Sequence, residues 1–168
     1  INDIHFKGDR PFSDRWEYIK NMDFKDKRIL DIGSNIGLIG LFLIYYNNAK
    51  HVTFVEHDNA CCKIIKELSK ILKIEDKVNV IKIDFNSSNI SEVLGYNYDN
   101  VIMVSSFKYF KDKNKIMEYF KELDNILFEG DDMEYEEEYE NYFKEKNFKI
   151  NKITRINDRN RLLCMFNK

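Results

Sequence analysis

Residues 28–40, Arg-Ile-Leu-Asp-Ile-Gly-Ser-Asn-Ile-Gly-Leu-Ile-Gly, constrain the fold more than any other stretch of the chain. A short apolar strand (Ile29, Leu30, Ile32) runs into Gly33 and Gly37 and then directly into an apolar helix. Strand, glycine turn and helix in that order open a βαβ unit. Glycine in the turn lets the backbone come within contact distance of a ligand, because no Cβ stands in the way. The helix that follows points its unsatisfied N–H groups at the same spot. Asp31 precedes the first glycine. Its carboxylate would repel a phosphate, whereas it accepts well from an ammonium or a ribose hydroxyl. The loop therefore suits a ligand that brings a cation and no phosphate.

The strand–helix alternation continues. His51 to Val55 is an apolar strand that ends in Glu56, with His57 and Asp58 behind it. A carboxylate at the end of the second strand of a βαβ unit is where a ribose diol is held. A third strand, Val78 to Ile83, ends in Asp84-Phe85, and a fourth, Val101 to Val104, follows Asp99. Helices are expected at 12–22, 36–47, 59–72, 112–123 and 133–146, the third on Cys62, Ile65, Leu68 and Leu72 at helical spacing. In the first, Ser13 or Asp14 should be the cap, and Trp16 and Ile19 share a face. A fifth strand covers 126–129, and strands at 149–156 and 161–166 flank an Asn157-Asp158-Arg159-Asn160 turn.

With these residues in place, the chain resembles the class I S-adenosylmethionine-dependent methyltransferases. Their first motif reads roughly Asp/Glu-x-Gly-x-Gly-x-Gly and stands here as Asp31-Ile-Gly33-Ser-Asn35-Ile-Gly37. Asn35 replaces the central glycine; asparagine tolerates a left-handed backbone better than most other residues. The resemblance covers nearly the whole chain. It implies an α/β fold, doubly wound, with a mostly parallel seven-stranded sheet, an antiparallel C-terminal strand and helices on both faces. Residues 1–168 should form a single domain in which 1–24 are a lead-in or lid before the core.

The resemblance also implies the cofactor, S-adenosyl-L-methionine, and its contacts. Asp31 should accept from the methionyl ammonium, and the backbone at Gly33, Ser34 and Asn35 should pack against the methionyl chain, with Gly37 closing the motif. Glu56 should take both ribose hydroxyls. Asp84 should accept from the adenine amino group while the N–H of Phe85 meets a ring nitrogen, with His57 and Asp58 along the adenine edge and Val104 at the end of the fourth strand.

In an open α/β sheet the substrate lies beyond the carboxyl ends of the strands. That places Ser105, Ser106 and Lys108, and Glu129, Asp131 and Asp132, around the methyl group. Glu129 follows Ile126-Leu127-Phe128, so a partly buried carboxylate there is a candidate base, and Ser105 is a second catalytic candidate; an N-cap or surface acid is the competing role for Glu129. Arg10, Arg15 and Trp16 in the lead-in are candidates to meet an anionic or planar substrate, although Trp16 also reads as a residue packed on the sheet. The segment after the fourth strand, Val104-Ser-Ser-Phe-Lys-Tyr-Phe110, lacks the Asn/Asp-Pro-Pro-Tyr/Phe of amino-group DNA methyltransferases.

Composition sets outer bounds. The 168 residues are 43% apolar and 14% aromatic, enough for one full core. A net charge of −2 gives no electrostatic footprint for nucleic acid, and the resemblance implies a small-molecule or saccharide acceptor of a methyl group on O or N. The three histidines (His5, His51, His57) show no ligand spacing, and no metal is required. Cys61, Cys62 and Cys164 fit neither a disulfide framework nor a zinc pattern, and a reducing cytoplasm is the default. The longest apolar stretch, Ile36 to Tyr46, is about half the ~20 residues that span a bilayer. The chain starts without methionine, as a domain cut from something longer would. Two competing readings are a non-catalytic domain of the same fold and a nicotinamide-binding oxidoreductase. The latter wants a glycine where Asn35 stands.

Overall fold

In the computed structural model, residues 12–86, 97–120, 123, 125–130, 136–156 and 161–168 are described. The lead-in before Phe12 with Arg10, most of the segment after Asn86, the acids Asp131 and Asp132, and the Asn157–Asn160 turn lie outside them.

The elements run α1 Phe12–Ile19, β1 Arg28–Ile32, α2 Leu38–Asn47, β2 His51–Glu56, α3 Asn59–Ile71 and β3 Val78–Lys82. They continue with β4 Asn100–Val104, α4 Lys113–Phe120, β5 Asn125–Glu129, α5 Glu136–Glu145, β6 Lys149–Ile156 and β7 Arg161–Asn167. The strands form one seven-stranded sheet in the order β3-β2-β1-β4-β5-β7-β6. β1 to β5 pair in parallel, and β7 is inserted antiparallel between β5 and β6. This is the sheet that the sequence pattern implies.

Alternation along each strand divides the core in two. Ile29, Phe54, Ile102, Leu127 and Leu163 face the layer that holds Ile19, Leu41, Ile44 and Ile65 from α1, α2 and α3. Leu30, Val55, Met103, Phe128 and Cys164 face the layer that holds Ile116, Phe120, Tyr139 and Phe143 from α4 and α5. Both faces are covered, so the parallel strands read as near-continuous apolar runs. Asp31, two residues from Ile29, belongs on the first face.

Helix ends have local causes. Asp58 caps α3, its Oδ1 accepting from Cys61 N at 2.8 Å. α1 stops short of the expected Met22. The Asn47 side chain donates to Lys20 O at 2.8 Å and to Met22 O at 3.4 Å, capturing carbonyls that further turns would have used. α2 begins two residues later than expected because Asn35 Oδ1 takes the N–H of Ile36 and Ser34 O takes that of Gly37, closing a turn first.

Candidate cofactor and acceptor site

Because β1 to β5 are parallel, their carboxyl ends share one edge of the sheet. A cavity of about 870 Å³ opens there. It is lined by nine of the ten residues expected at the cofactor besides Asp58, namely Asp31, Gly33, Ser34, Asn35, Glu56, His57, Asp84, Phe85 and Val104, and by Asp58 itself. The tenth, Gly37, lies behind the loop as the N-cap of α2 in the left-handed region, φ 73°. A Cβ there would stand 2.9 Å from Ile65 Cγ1.

The loop is set by main-chain contacts. Gly33 has φ 67°, and a Cβ on it would come within 2.7 Å of Ser106 Cβ, so the position takes glycine alone. Asn35 adopts φ 53°, the left-handed conformation its sequence position demands. Gly33 N and Ser34 N donate to Val55 O at 2.9 and 3.3 Å, tying the turn to β2.

Glu56 is 6% exposed. Its Oε2 accepts from Asn35 N at 2.8 Å, and its Oε1 from His57 N at 2.8 Å and Asp58 N at 2.9 Å. His57 Nδ1 lies 2.9 Å from the same oxygen, on an exposed ring. The carboxylate is thus oriented by backbone before any ligand arrives. Asp31, 4% exposed, is pushed up to about 7, first by burial and then by Glu56, while the N–H of Gly40 pulls the other way. Asp84 is exposed, and its Oδ1 takes Asn86 N at 2.8 Å. Asn86 then bridges to the β4 side, donating to Tyr109 O and accepting from Lys111 N, both at 2.8 Å. Burial and Asp58 push the Cys61 thiol up to about 11, so this cavity residue stays a neutral thiol.

The other half of the site is built from side chains. Arg15 of α1 grips Glu129 at the end of β5 with Nε to Oε2 at 2.5 Å and Nη2 to Oε1 at 2.8 Å. Ser105 Oγ donates to Glu129 Oε1 at 2.8 Å and accepts from Arg161 Nη1 at 2.9 Å. Arg161 Nη1 lies 3.5 Å from the same carboxylate oxygen. Glu129 is fully buried and does not line the cavity; Arg15, Ser105 and Ser106 do. A carboxylate so gripped is an anchor for α1 and for the β4 turn, and neither a helix cap nor a surface acid.

The structure does not bring Trp16 or Lys108 to the cavity. Trp16 instead packs against Phe12, Phe42 and Tyr46 on the outer side of α2, because its position on α1 is turned away from Arg15. Lys108 sits in a short 3-10 turn with Nζ 5.1 Å over the Tyr109 ring. Arg161 carries no signal in the sequence. One arginine beside a polar turn looks like a solvated strand end, and only the β5–β7 pairing, Glu129 opposite Leu163, puts it under Ser105. Among the described residues no group of three or more His, Cys, Asp or Glu forms a metal site, and no helix is long and apolar enough to cross a membrane.

The sheet order and the antiparallel insertion define a Rossmann-like α/β fold. No protein-family model matches the chain, and no curated protein matches it. Solved structures do. TrmK of M. capricolum, in complex with S-adenosyl-homocysteine, is 17% identical, with a TM-score of 0.69 over 92% of this chain and 67% of that one. Precorrin-6y C5,15-methyltransferase of Geobacter metallireducens is 9% identical, with a TM-score of 0.73 over 99% of this chain and 94% of that one. Sp1610 of Streptococcus pneumoniae, described as a candidate tRNA (m1A22) methyltransferase, is 9% identical, with a TM-score of 0.73 over 94% of this chain and 70% of that one. At such identities the likeness is one of fold.

Proposed function

We propose that this chain is an S-adenosylmethionine-dependent methyltransferase acting on an O or N acceptor of a small molecule or saccharide. The observation that carries the reading is the buried, backbone-oriented Glu56 in the same cavity as the left-handed Gly33–Asn35 turn and Asp31. The residues fit the group. A diol can donate to the Glu56 carboxylate, and an ammonium can donate to Asp31; both residues line the cavity. The cavity volume lies within the ~300–1,000 Å³ usual for small-molecule sites. Asp31, Glu56, Asp58 and Asp84 line it together, which disfavours the pyrophosphate of a nicotinamide dinucleotide.

When bound, the cofactor supplies an activated methyl group on a sulfonium. The chain's own residues orient the two reactants, which is where most of the rate gain in such a transfer lies. Arg15 and Phe12 bring α1 to the cavity wall, and Glu129 anchors that helix.

Calorimetric titration with S-adenosylmethionine and S-adenosylhomocysteine, with NAD as control, tests the reading. Micromolar binding of the first two alone supports it, and binding of NAD alone sinks it. Glu56→Ala should weaken cofactor binding at least tenfold, since each charge-assisted hydrogen bond it offers is worth roughly 1.5–3 kcal/mol. A labelled-methyl assay then separates acceptors. Since Sp1610 is described as a candidate tRNA enzyme, total RNA belongs beside saccharides in that screen, and incorporation into RNA alone would replace the small-molecule acceptor.

A further inference from the structure

Ser105 has φ 56°, a left-handed conformation that costs a non-glycine residue energy and that collects at functional sites. Its hydroxyl is held from two sides. Arg161 Nη1 donates to Oγ, and Oγ donates to Glu129 Oε1. The directions are forced by the partners. A guanidinium has no lone pair with which to accept, and a carboxylate in an ion pair with arginine has no proton to give. A serine hydroxyl owns one proton and two lone pairs. One lone pair is left over at a residue that lines the cavity. Toward a ligand, Ser105 Oγ can therefore accept a hydrogen bond and cannot donate one.

We propose that Ser105 is a specificity-determining residue that accepts a hydrogen bond from the methyl acceptor, with Arg161 and Glu129 as the positioning residues that fix its direction. The substrate group it selects carries a proton, a neutral hydroxyl or amine, and is not a carboxylate. This rests on the methyltransferase reading and narrows its acceptor. A second observation points the same way. Ser106, 5% exposed, lines the same cavity, and its buried Oγ has no partner among the described residues. A buried hydroxyl without a partner is costly until a ligand supplies one. Phe12, Phe85, Tyr109 and Phe110 also line the cavity, so a ring beside the proton-bearing group has apolar walls to rest on. An O–H or N–H directed at Ser105 leaves a lone pair of the same atom free to face the methyl carbon. The new bond from O or N to carbon forms as the C–S bond breaks onto sulfur, and the acceptor's proton passes to solvent water.

Four monosubstituted benzenes test this on the protein saturated with S-adenosylhomocysteine: phenol, aniline, anisole and benzoate. Titrations followed by ligand-observed NMR should show phenol and aniline binding about tenfold more tightly than anisole and benzoate, the worth of one good hydrogen bond. Ser105→Ala should bring phenol down to the level of anisole with S-adenosylhomocysteine affinity held within about threefold. Arg161→Met should shrink the phenol-to-anisole ratio while thermal unfolding stays cooperative, a change that a purely structural arginine would not cause. Anisole or benzoate binding as well as phenol overturns the inference, and so does the failure of all four probes to bind at high-millimolar concentration. A tenfold loss of S-adenosylhomocysteine affinity in Ser105→Ala also overturns it, because the hydroxyl would then serve the cofactor's ammonium. Failure of S-adenosylhomocysteine to bind the unmodified protein is a different result, and it sinks the cofactor reading itself.

Discussion

The two halves of the cavity are held by different means. On the β1–β2 side, one carboxylate is oriented by three backbone N–H groups, and the glycine turn is tied to β2 by main-chain bonds. On the β4–β5–β7 side, four side chains hold one another. Arg15 and Glu129 lie 114 positions apart in sequence, and Ser105 and Arg161 lie 56 apart. A wall made of backbone survives most substitutions around it, because the groups that do the holding are common to every residue. A wall made of buried charges fails when one member is removed. The first half is fixed by the path of its backbone, and the second by which side chains stand at four positions.

The largest test of this contrast removes a charge from the second half. Arg15→Met leaves Glu129 buried without its bidentate partner and should cost ~3–5 kcal/mol of unfolding free energy in urea. A loss below ~1 kcal/mol would mean that Arg161 alone satisfies the carboxylate, and the difference between the halves would shrink.

The next test concerns Asp31, in the first half, and is one of pH. Its folded pKa of about 7 lies above the ordinary carboxylate value of 3.8. The folded protein therefore binds the proton more tightly than the unfolded chain. The stability this contributes is complete below pH ~4 and is lost as pH rises through ~7. Asp31→Asn should abolish that decline and leave the ligand-free protein more stable than wild type at pH ~8, by roughly 2–4 kcal/mol, because each tenfold gain in proton affinity on folding is worth ~1.4 kcal/mol. Urea titrations at pH ~5 and pH ~8 measure it, and an equal loss of stability between the two pH values in both proteins would contradict the assignment.

The smallest effect compares two substitutions at one residue. Ser105→Gly and Ser105→Ala both lose the hydroxyl, but only alanine keeps a Cβ at φ 56°. Glycine should be the more stable of the two by ~1 kcal/mol. Equal stabilities would show that the turn relaxes once the hydroxyl is gone.

The same division explains what can be read from the sequence. β1 spans Arg28–Ile32 around the apolar Ile29, Leu30 and Ile32 that announce it, and Asn35 and Gly37 announce left-handed backbone by their residue types. These signals are local, a few residues long, and involve backbone preferences that glycine and asparagine carry with them. Glu56 is legible because it ends a strand. Glu129 is legible as a candidate for the same reason, but its partners are not. Nothing near Ile126-Leu127-Phe128 tells of Arg15 or Arg161, which reach it only through the packing of α1 and the insertion of β7. The early end of α1 is hidden for a similar reason, since the Asn47 side chain that takes its trailing carbonyls comes from the end of another helix.

The antiparallel β7 has a consequence for the order in which the molecule is made. Because it runs against its neighbours, its first residue, Arg161, arrives at the edge where β4 and β5 finish. During synthesis the glycine turn, Glu56 and Asp84 emerge well before it, and all belong to segments whose partners are close in sequence. Ser105 and Glu129 must wait for Arg161 to leave the ribosome before their cluster is whole. Contacts between distant segments carry a loop-closure cost that local ones do not. A nascent chain thus completes the wall held by backbone before the wall held by side chains, and the final strand acts as the moment of commitment.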